Sequence, residues 1–276
     1  MAALEAGGQR LEQALENSSY ALKSIGRSLR LLQQFTPLSP EQSLAALSRS
    51  AGLPRSTTHR LLLSLVRGGL IEHSPQTSGV YRLGPEALRL GQVAQSQYLP
   101  RDAVFQMMRG LSVALDLTVG LTTLADHEVL VVERVEGSGP FRRAYGVGAR
   151  IPAQATASGR VLLAALTHEE LDEFFAPSHM RAQIPTAELR ALRCELERVR
   201  YAGVALDQGS YIAGLACAAV PVRMSIGGRH FALAISGPLE RIGHCLEKRN
   251  GLAALQDLAR TLGRSYELPR LVPQGC

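Results

Sequence analysis

The run Arg55-Ser56-Thr57-Thr58-His59-Arg60 sets two guanidiniums, three hydroxyls and an imidazole side by side, with no carboxylate among them. On the opening turns of a helix, that set can read nucleic acid. Arg55 can pair bidentately with O6 and N7 of a guanine, while Ser56, Thr57, Thr58 and His59 can reach base edges or phosphates. Arg60 lies further in and suits a phosphate, as do Lys23, Arg27 and Arg82 at the edges of the region. The helix N-terminus adds its own attraction for a phosphate. The same turn also fits a plain helix cap with solvated arginines, so the surrounding elements decide between the two.

Those elements can be read from spacing. Leu22, Ile25, Leu29, Leu32 and Phe35 recur at helical intervals and stop at Pro37. Ser39-Pro40-Glu41-Gln42 predicts a second helix, with Ser39 as N-cap, Pro40 in the first position and Gln42 closing a capping box. That helix would bury Leu44 and Leu47 and end before Gly52, which suits a left-handed turn. Pro54 then opens PRSTTHRLLLSLVRGG, with Leu61, Leu62, Leu65 and Val66 toward the core and Gly68-Gly69 as its end. Two helices across a tight glycine turn make a helix-turn-helix. Leu70–His73 and Val80–Leu83 flank a Pro/Gly-containing loop and predict a hairpin, so the whole reads as a winged helix.

Charge agrees with this reading. Residues 19–90 hold nine basic side chains (Lys23, Arg27, Arg30, Arg49, Arg55, Arg60, Arg67, Arg82, Arg89) against three acids (Glu41, Glu72, Glu86), a local +6 that equals the net charge of all 276 residues. A compact cationic block suggests a polyanionic partner. The wider composition, 46% apolar and 20% charged, is that of a globular protein. The longest apolar run, about Ala213 to Val222, is far short of the roughly 20 residues of a membrane-spanning helix, so no membrane partner is expected. The first residues lack the apolar core of a secretory signal, and Cys194, Cys217, Cys245 and Cys276 show no CxxC spacing. A cytoplasmic protein with reduced thiols is expected.

Four zones follow: residues 1–18, expected to be mobile; 19–84, the winged helix-turn-helix; 85–99, a connecting helix; and 100–270, a second domain. In that domain Thr118–Leu124 and Glu128–Val135 flank Ala125-Asp126-His127, and Ala216–Arg223 and His230–Ser236 flank a second turn. Helices are predicted over Ala157–Leu166, over Glu169–Phe175 behind a Thr167/Glu170 capping box, over Ala187–Tyr201 with Thr186 as N-cap, and over Asn250–Leu262. Meandering strands with flanking helices predict an α+β domain with an antiparallel sheet. The loop Ile151–Ala155 runs into a helix start at Ala157, Ser158 and Gly159. Small residues there leave backbone N–H groups open, and the helix dipole favours a carboxylate.

Catalysis finds little footing. There is no GxSxG, GxGxxG, P-loop or HExxH, Cys217 has no activating base that the sequence identifies, and no histidines fall at metal-ligand spacing. No catalytic residue, metal or cofactor is expected. An RNA-binding or architectural protein is a further reading; it would lack a ligand-sensing half.

The segment SPEQSLAALSRSAGLPRSTTHRLLLSLVRGGLIEHSPQTSGVYRLG, above all GLPRSTTHRLLLSLVRGGLIE, resembles the DNA-binding domain of the IclR family of bacterial transcription regulators. The resemblance runs on through VGARIPAQATASGRVLLAAL, VALDQGSYIAGLACAAVPV and FALAISGP, covering about residues 20–265. It implies a regulator, not an enzyme, that binds double-stranded operator DNA as a homodimer or a dimer of dimers. The sign of regulation stays open, with repression favoured. It also implies a GAF-like effector-binding domain for small organic acids, contacted by the Ala157 and Ser158 backbone, Asp207, Cys217 and Ser236, with Ile151 and Leu215 as apolar walls. A cysteine in an apolar strand, as Cys217 is, is more often plain core than a contact, and Asp207 equally fits a turn. Three places depart from the family pattern: Gln154 stands where His is frequent, Gly209 and Ser210 where acids are usual, and Ala216 where Arg is frequent. A less charged rim implies a ligand other than the small oxo-acids, either larger or less polar.

Overall fold

Gly52 has a φ of +61°, the left-handed conformation that lets two helices meet across four residues. Around that turn the first of two compact units is built; the chain passes from one unit to the other at residues 97–98. The computed structural model describes residues 23–36, 39–96, 101–141, 145–176, 185–226, 229–247 and 250–265. The expected mobile segment 1–18 lies outside them, as do Leu22 and the ends of the expected connector and second domain.

In the first unit, α1 (Lys23–Leu32), α2 (Leu44–Ser50) and α3 (Arg55–Arg67) surround a core of Leu31, Leu47, Leu62, Leu65, Ile71 and Tyr81. Strands β1 (Glu41–Ser43), β2 (Ile71–His73) and β3 (Val80–Leu83) form a sheet in the order β1-β3-β2, and α4 (Pro85–Ser96) follows. The expected hairpin is present. The expected helix start at Ser39 is not: Glu41–Ser43 is extended and pairs with β3, Gln42 opposite Tyr81. A helix from Pro40 would leave that edge of β3 unpaired, and an unpaired edge is costly. Capping passes to Ser43, whose side chain accepts the Ala46 N–H at 3.2 Å. Gln42 still reaches Ser39, but as a side-chain tie of 2.9 Å within a turn. The apolar face expected of α1 is also divided. Leu31 is its buried leucine, whereas Ile25 is 52% and Leu29 38% exposed.

The second unit is a six-stranded antiparallel sheet, β6-β5-β4-β9-β8-β7. Its strands are β4 (Thr118–Ala125), β5 (Glu128–Val135), β6 (Arg150–Pro152), β7 (Ala205–Gln208), β8 (Leu215–Ile226) and β9 (Arg229–Pro238). Its helices are α5 (Arg101–Leu115), α6 (Ala157–Ala164), α7 (His168–Phe174), α8 (Thr186–Ala202), α9 (Leu239–Glu247) and α10 (Asn250–Ser265). Both predicted hairpins and the Thr167/Glu170 capping box are found. Thr186 is the first residue of α8, and Pro185 precedes it as N-cap.

The two sheet faces differ in side-chain size. One carries Val119, Leu121, Val220, Leu233 and Ile235, packed with Met108 of α5 and with Leu255 and Leu262 of α10. The other has its central row made of Gly120, Ala234, Ala219 and Ala205, each paired with the next across the strands. Helices α6, α7 and α8 pack on that side through Leu162, Leu171 and Leu196. Large side chains close the first face, and small ones leave the second with room.

Candidate DNA-reading face and ligand pocket

In α3 the helical period separates two sets of side chains. Thr58, Leu62 and Leu65 are buried, while Arg55, Ser56, His59, Arg60, Leu63, Ser64 and Arg67 are exposed. Thr58 therefore leaves the candidate reading set. It is fully buried and its hydroxyl donates to the Pro54 carbonyl at 3.1 Å, one turn back. Three residues past the helix start, a side chain has already rotated toward the core. Thr57 is half-buried. The same period adds Arg67, which sequence reading left out; its signal was the spacing Arg60 to Arg67, two turns along one face.

The acids of residues 19–90 are engaged away from that face. Glu41 accepts from the Ser74 hydroxyl at 2.8 Å, Glu72 pairs with Arg82 at 2.5 Å, and Glu86 with Arg89 at 2.7 Å. No carboxylate of the described residues is paired with α3's exposed arginines, so they present their charge outward. Arg82, read as a phosphate clamp, sits directly opposite Glu72 in the β2–β3 register and is held there. Part of its charge is spent within the hairpin. Lys23 is exposed and Arg27 half-buried on α1.

In the second unit, backbone register assembles a polar row next to the small-residue row. Asp207 pairs with Cys217, Cys217 with Ser236, and Ser236 with Thr118, so four strands give one polar group each on a single face. Asp207 is buried, and its carboxylate accepts the Ser210 N–H at 3.1 Å. It holds a turn and faces the row as well. A Cβ built on Gly120 would meet nothing within 4 Å, so open space stands over the sheet at that point. Ile151 and Leu215 are both buried.

Helix α6 reaches this face through a close backbone approach. Thr156 is its N-cap, accepting the Gly159 N–H at 3.0 Å through its side chain, and its carbonyl takes the Arg160 N–H. The amides of Ala157 and Ser158 are the remaining donors of the first turn. A Cβ on Gly159 would lie 1.9 Å from the Ala153 carbonyl oxygen, so only glycine lets the Ala153–Ala155 turn sit against the helix.

Two residues of this region went unseen in the sequence: Arg134 on β5 and Tyr145 in the loop beyond it. Arg134 pairs with Gly120 across the strands, and its guanidinium lies 5.1 Å from the centre of the Tyr145 ring. The Tyr145 phenol lies beside Ser236; burial, and next the proximity of Cys217, push it up to about 12. Burial, with the Asp207 carboxylate beside it, pushes the Cys217 thiol up to about 12 as well. A thiol so protonated is a poor nucleophile. Ala216 lies on the other face of β8, with Val220, and the cation on the pocket side is Arg134. No signal in the sequence marks it, because its place depends on strand order.

A winged helix and an α+β unit with a polar-lined face, in one chain, define a ligand-responsive class of DNA-binding regulator. The family model for the bacterial transcriptional regulator IclR C-terminal domain matches residues 94–264, and that for the IclR helix-turn-helix domain residues 24–75. The chain belongs to the IclR family of transcriptional regulators. It is 31% identical over 259 residues to the HTH-type transcriptional regulator TtgV of Pseudomonas putida, covering 92% of this chain and 98% of that one. It is 27% identical over 240 residues to the transcriptional repressor IclR of Escherichia coli, covering 85% and 87%. The crystal structure of an IclR homolog from Microbacterium hydrocarbonoxydans, complexed with 4-hydroxybenzoate, superposes with a TM-score of 0.68 at 25% identity, covering 88% of this chain and 100% of that one. Among the described residues no helix is long and apolar enough to cross a membrane, and no cluster of three or more His, Cys, Asp or Glu could hold a metal.

Proposed function

We propose that this regulator is a homo-oligomer that reads operator DNA with Arg55, Ser56, His59, Arg60 and Arg67 of α3. A small organic acid entering the pocket over Gly120 changes that binding. The observation that carries the reading is the open space above Gly120, bordered by the row Thr118, Ser236, Cys217 and Asp207. Ala157 and Ser158 offer backbone donors to a carboxylate at the start of α6. The homolog crystallised with 4-hydroxybenzoate supports a small acid as the ligand class, and the relative named a repressor supports repression as the sign. The ligand shifts DNA affinity only as far as its own affinities for the two states differ.

Oligomerisation is supported by α4, which has no buried residue and leaves Leu88 68% exposed. Leu83 and Leu88 also line a cleft of about 600 Å³ with Phe35 and Pro40. A second copy would cover these side chains and set two α3 helices on half-sites about one helical turn, or a multiple of it, apart.

The test is fluorescence anisotropy with the intergenic duplex next to the regulator's own gene, with and without candidate acids. Ser158→Phe is expected to abolish the ligand response while basal DNA binding stays intact. A Ser158→Phe variant that responds like the wild type removes the pocket assignment.

A further inference from the structure

Tyr145 reaches across the sheet of the second unit. Its ring stands 5.1 Å from the Arg134 guanidinium on β5, and its phenol lies beside Ser236 on β9. Strand β4 lies between those two strands, so the side chain crosses it. Nothing obstructs the crossing, because β4 presents Gly120 opposite Arg134, and a Cβ there would meet nothing within 4 Å. Cys217 and Asp207, the next members of the polar row, are close enough to act on the phenol's titration, and burial is the first cause of its raised pKa. The hydroxyl is therefore the buried end of the side chain. At the other end the ring helps to cover Arg134, whose side chain is only 4% exposed. Beyond Tyr145 the chain is tied to β5: the Gly148 N–H donates to the Val131 carbonyl at 2.8 Å, and the Val131 N–H to the Ala149 carbonyl at 3.0 Å.

We infer that Tyr145 is a built-in occupant of the pocket, and that a small molecule reaching Ser236, Cys217 and Asp207 must first displace it. The inference rests on the pocket reading given above and adds a regulatory step to it. Open space remains at Gly120, but the polar row beside it is already engaged by the protein's own phenol. A ligand therefore binds only the fraction of molecules in which the tyrosine has swung out, and its apparent affinity falls by that fraction. The contact of the ring with the Arg134 guanidinium and the burial of the hydroxyl hold the plugged form. Because the chain from Gly148 onward stays tied to β5, rotation of one side chain is enough to open the row. The device sets a threshold: a molecule that recovers less than the tyrosine's own contacts does not enter.

The experiment measures the melting temperature of the full-length wild type and of Tyr145→Ala against concentration of phenol, the part of the side chain that the substitution removes. A molecule that binds the folded state raises the melting temperature. Tyr145→Ala is expected to be stabilised by phenol, whereas the wild type should need about tenfold more or show no rise. Iodoacetamide locates the effect. Labelling of Cys217, relative to the exposed Cys194, should rise in Tyr145→Ala and fall again with phenol. Phenol responses that coincide in the two proteins, or Cys217 labelling that neither the substitution raises nor phenol lowers, would overturn the inference. If Tyr145→Ala does not fold, the wild type decides. Tetranitromethane should nitrate Tyr201, which is 97% exposed, and spare Tyr145. Comparable nitration of the two would place the Tyr145 ring in solvent and overturn the inference as well. None of these readouts uses DNA, so failure of the pocket reading, seen in the DNA response of Ser158→Phe, is distinguishable from failure of the plug.

Discussion

Cys217 on β8 is paired directly with Ser236 on β9, and the phenol of Tyr145 lies beside Ser236. A thiol in that position is surrounded by polar groups yet held protonated by burial and by the Asp207 carboxylate. At neutral pH, iodoacetamide should therefore modify the exposed Cys194 and leave Cys217 nearly untouched in the folded protein. Mass spectrometry of tryptic peptides checks this; equal labelling at both positions would contradict the assigned environment.

The same two groups set an alkaline limit on stability. Cys217 and Tyr145 both have folded pKa values raised to about 12 from ordinary values near 9 and 10. Between those limits the unfolded chain releases protons that the folded chain keeps, so folding weakens as pH rises. Below pH 8 neither group contributes a slope. A melting series from pH 8 to 11 should fall more gently in a Cys217→Ser, Tyr145→Phe double variant than in the wild type.

Arg55 stands at the exposed first turn of α3. If it reads a guanine, Arg55→Ala should cost about 1–3 kcal/mol on the preferred site and relax sequence choice there. Arg67→Ala should weaken specific and random duplexes alike and lower the salt dependence of binding. Anisotropy titrations at two salt concentrations separate these outcomes.

Thr58 was expected among base contacts and lies in the core, so its replacement should touch stability and not sequence choice. Thr58→Val removes the bond to the Pro54 carbonyl, a loss of about 1 kcal/mol. Faster hydrogen exchange along α3, with an unchanged ranking of duplex affinities, is the expected result.

Leu88 and Val93 lie exposed on α4. Changing both to Glu should shift the sedimentation coefficient toward the monomer and weaken DNA binding, since two linked reading heads bind far more tightly than one. An unchanged oligomer would move the contact elsewhere.

Much of the first unit could be read from local spacing. Gly52, the apolar period of α3 and the hairpin around residues 74–79 are short-range features, and each is found where the spacing places it. The misread helix start at Ser39 shows the limit, since a capping pattern gave way to the need of β3 for a partner. In the second unit the two hairpins were legible from alternation, whereas α5, β6, β7 and α9 were not. Strands β6 and β7 are too short, at three and four residues, for alternation to register.

The amino-acid order by itself determined the reading helix, its positive charge and the kind of sheet that follows, because helix caps, turns and hydrophobic periods act over a few residues. Only the tertiary structure decided which hydroxyl of α3 turns inward, and that Arg134, Gly120, Ser236, Cys217 and Asp207 share one sheet face. Those five residues come from five strands spread over positions 120 to 236, and strand order in a sheet is fixed by packing across the whole unit, which no local pattern records.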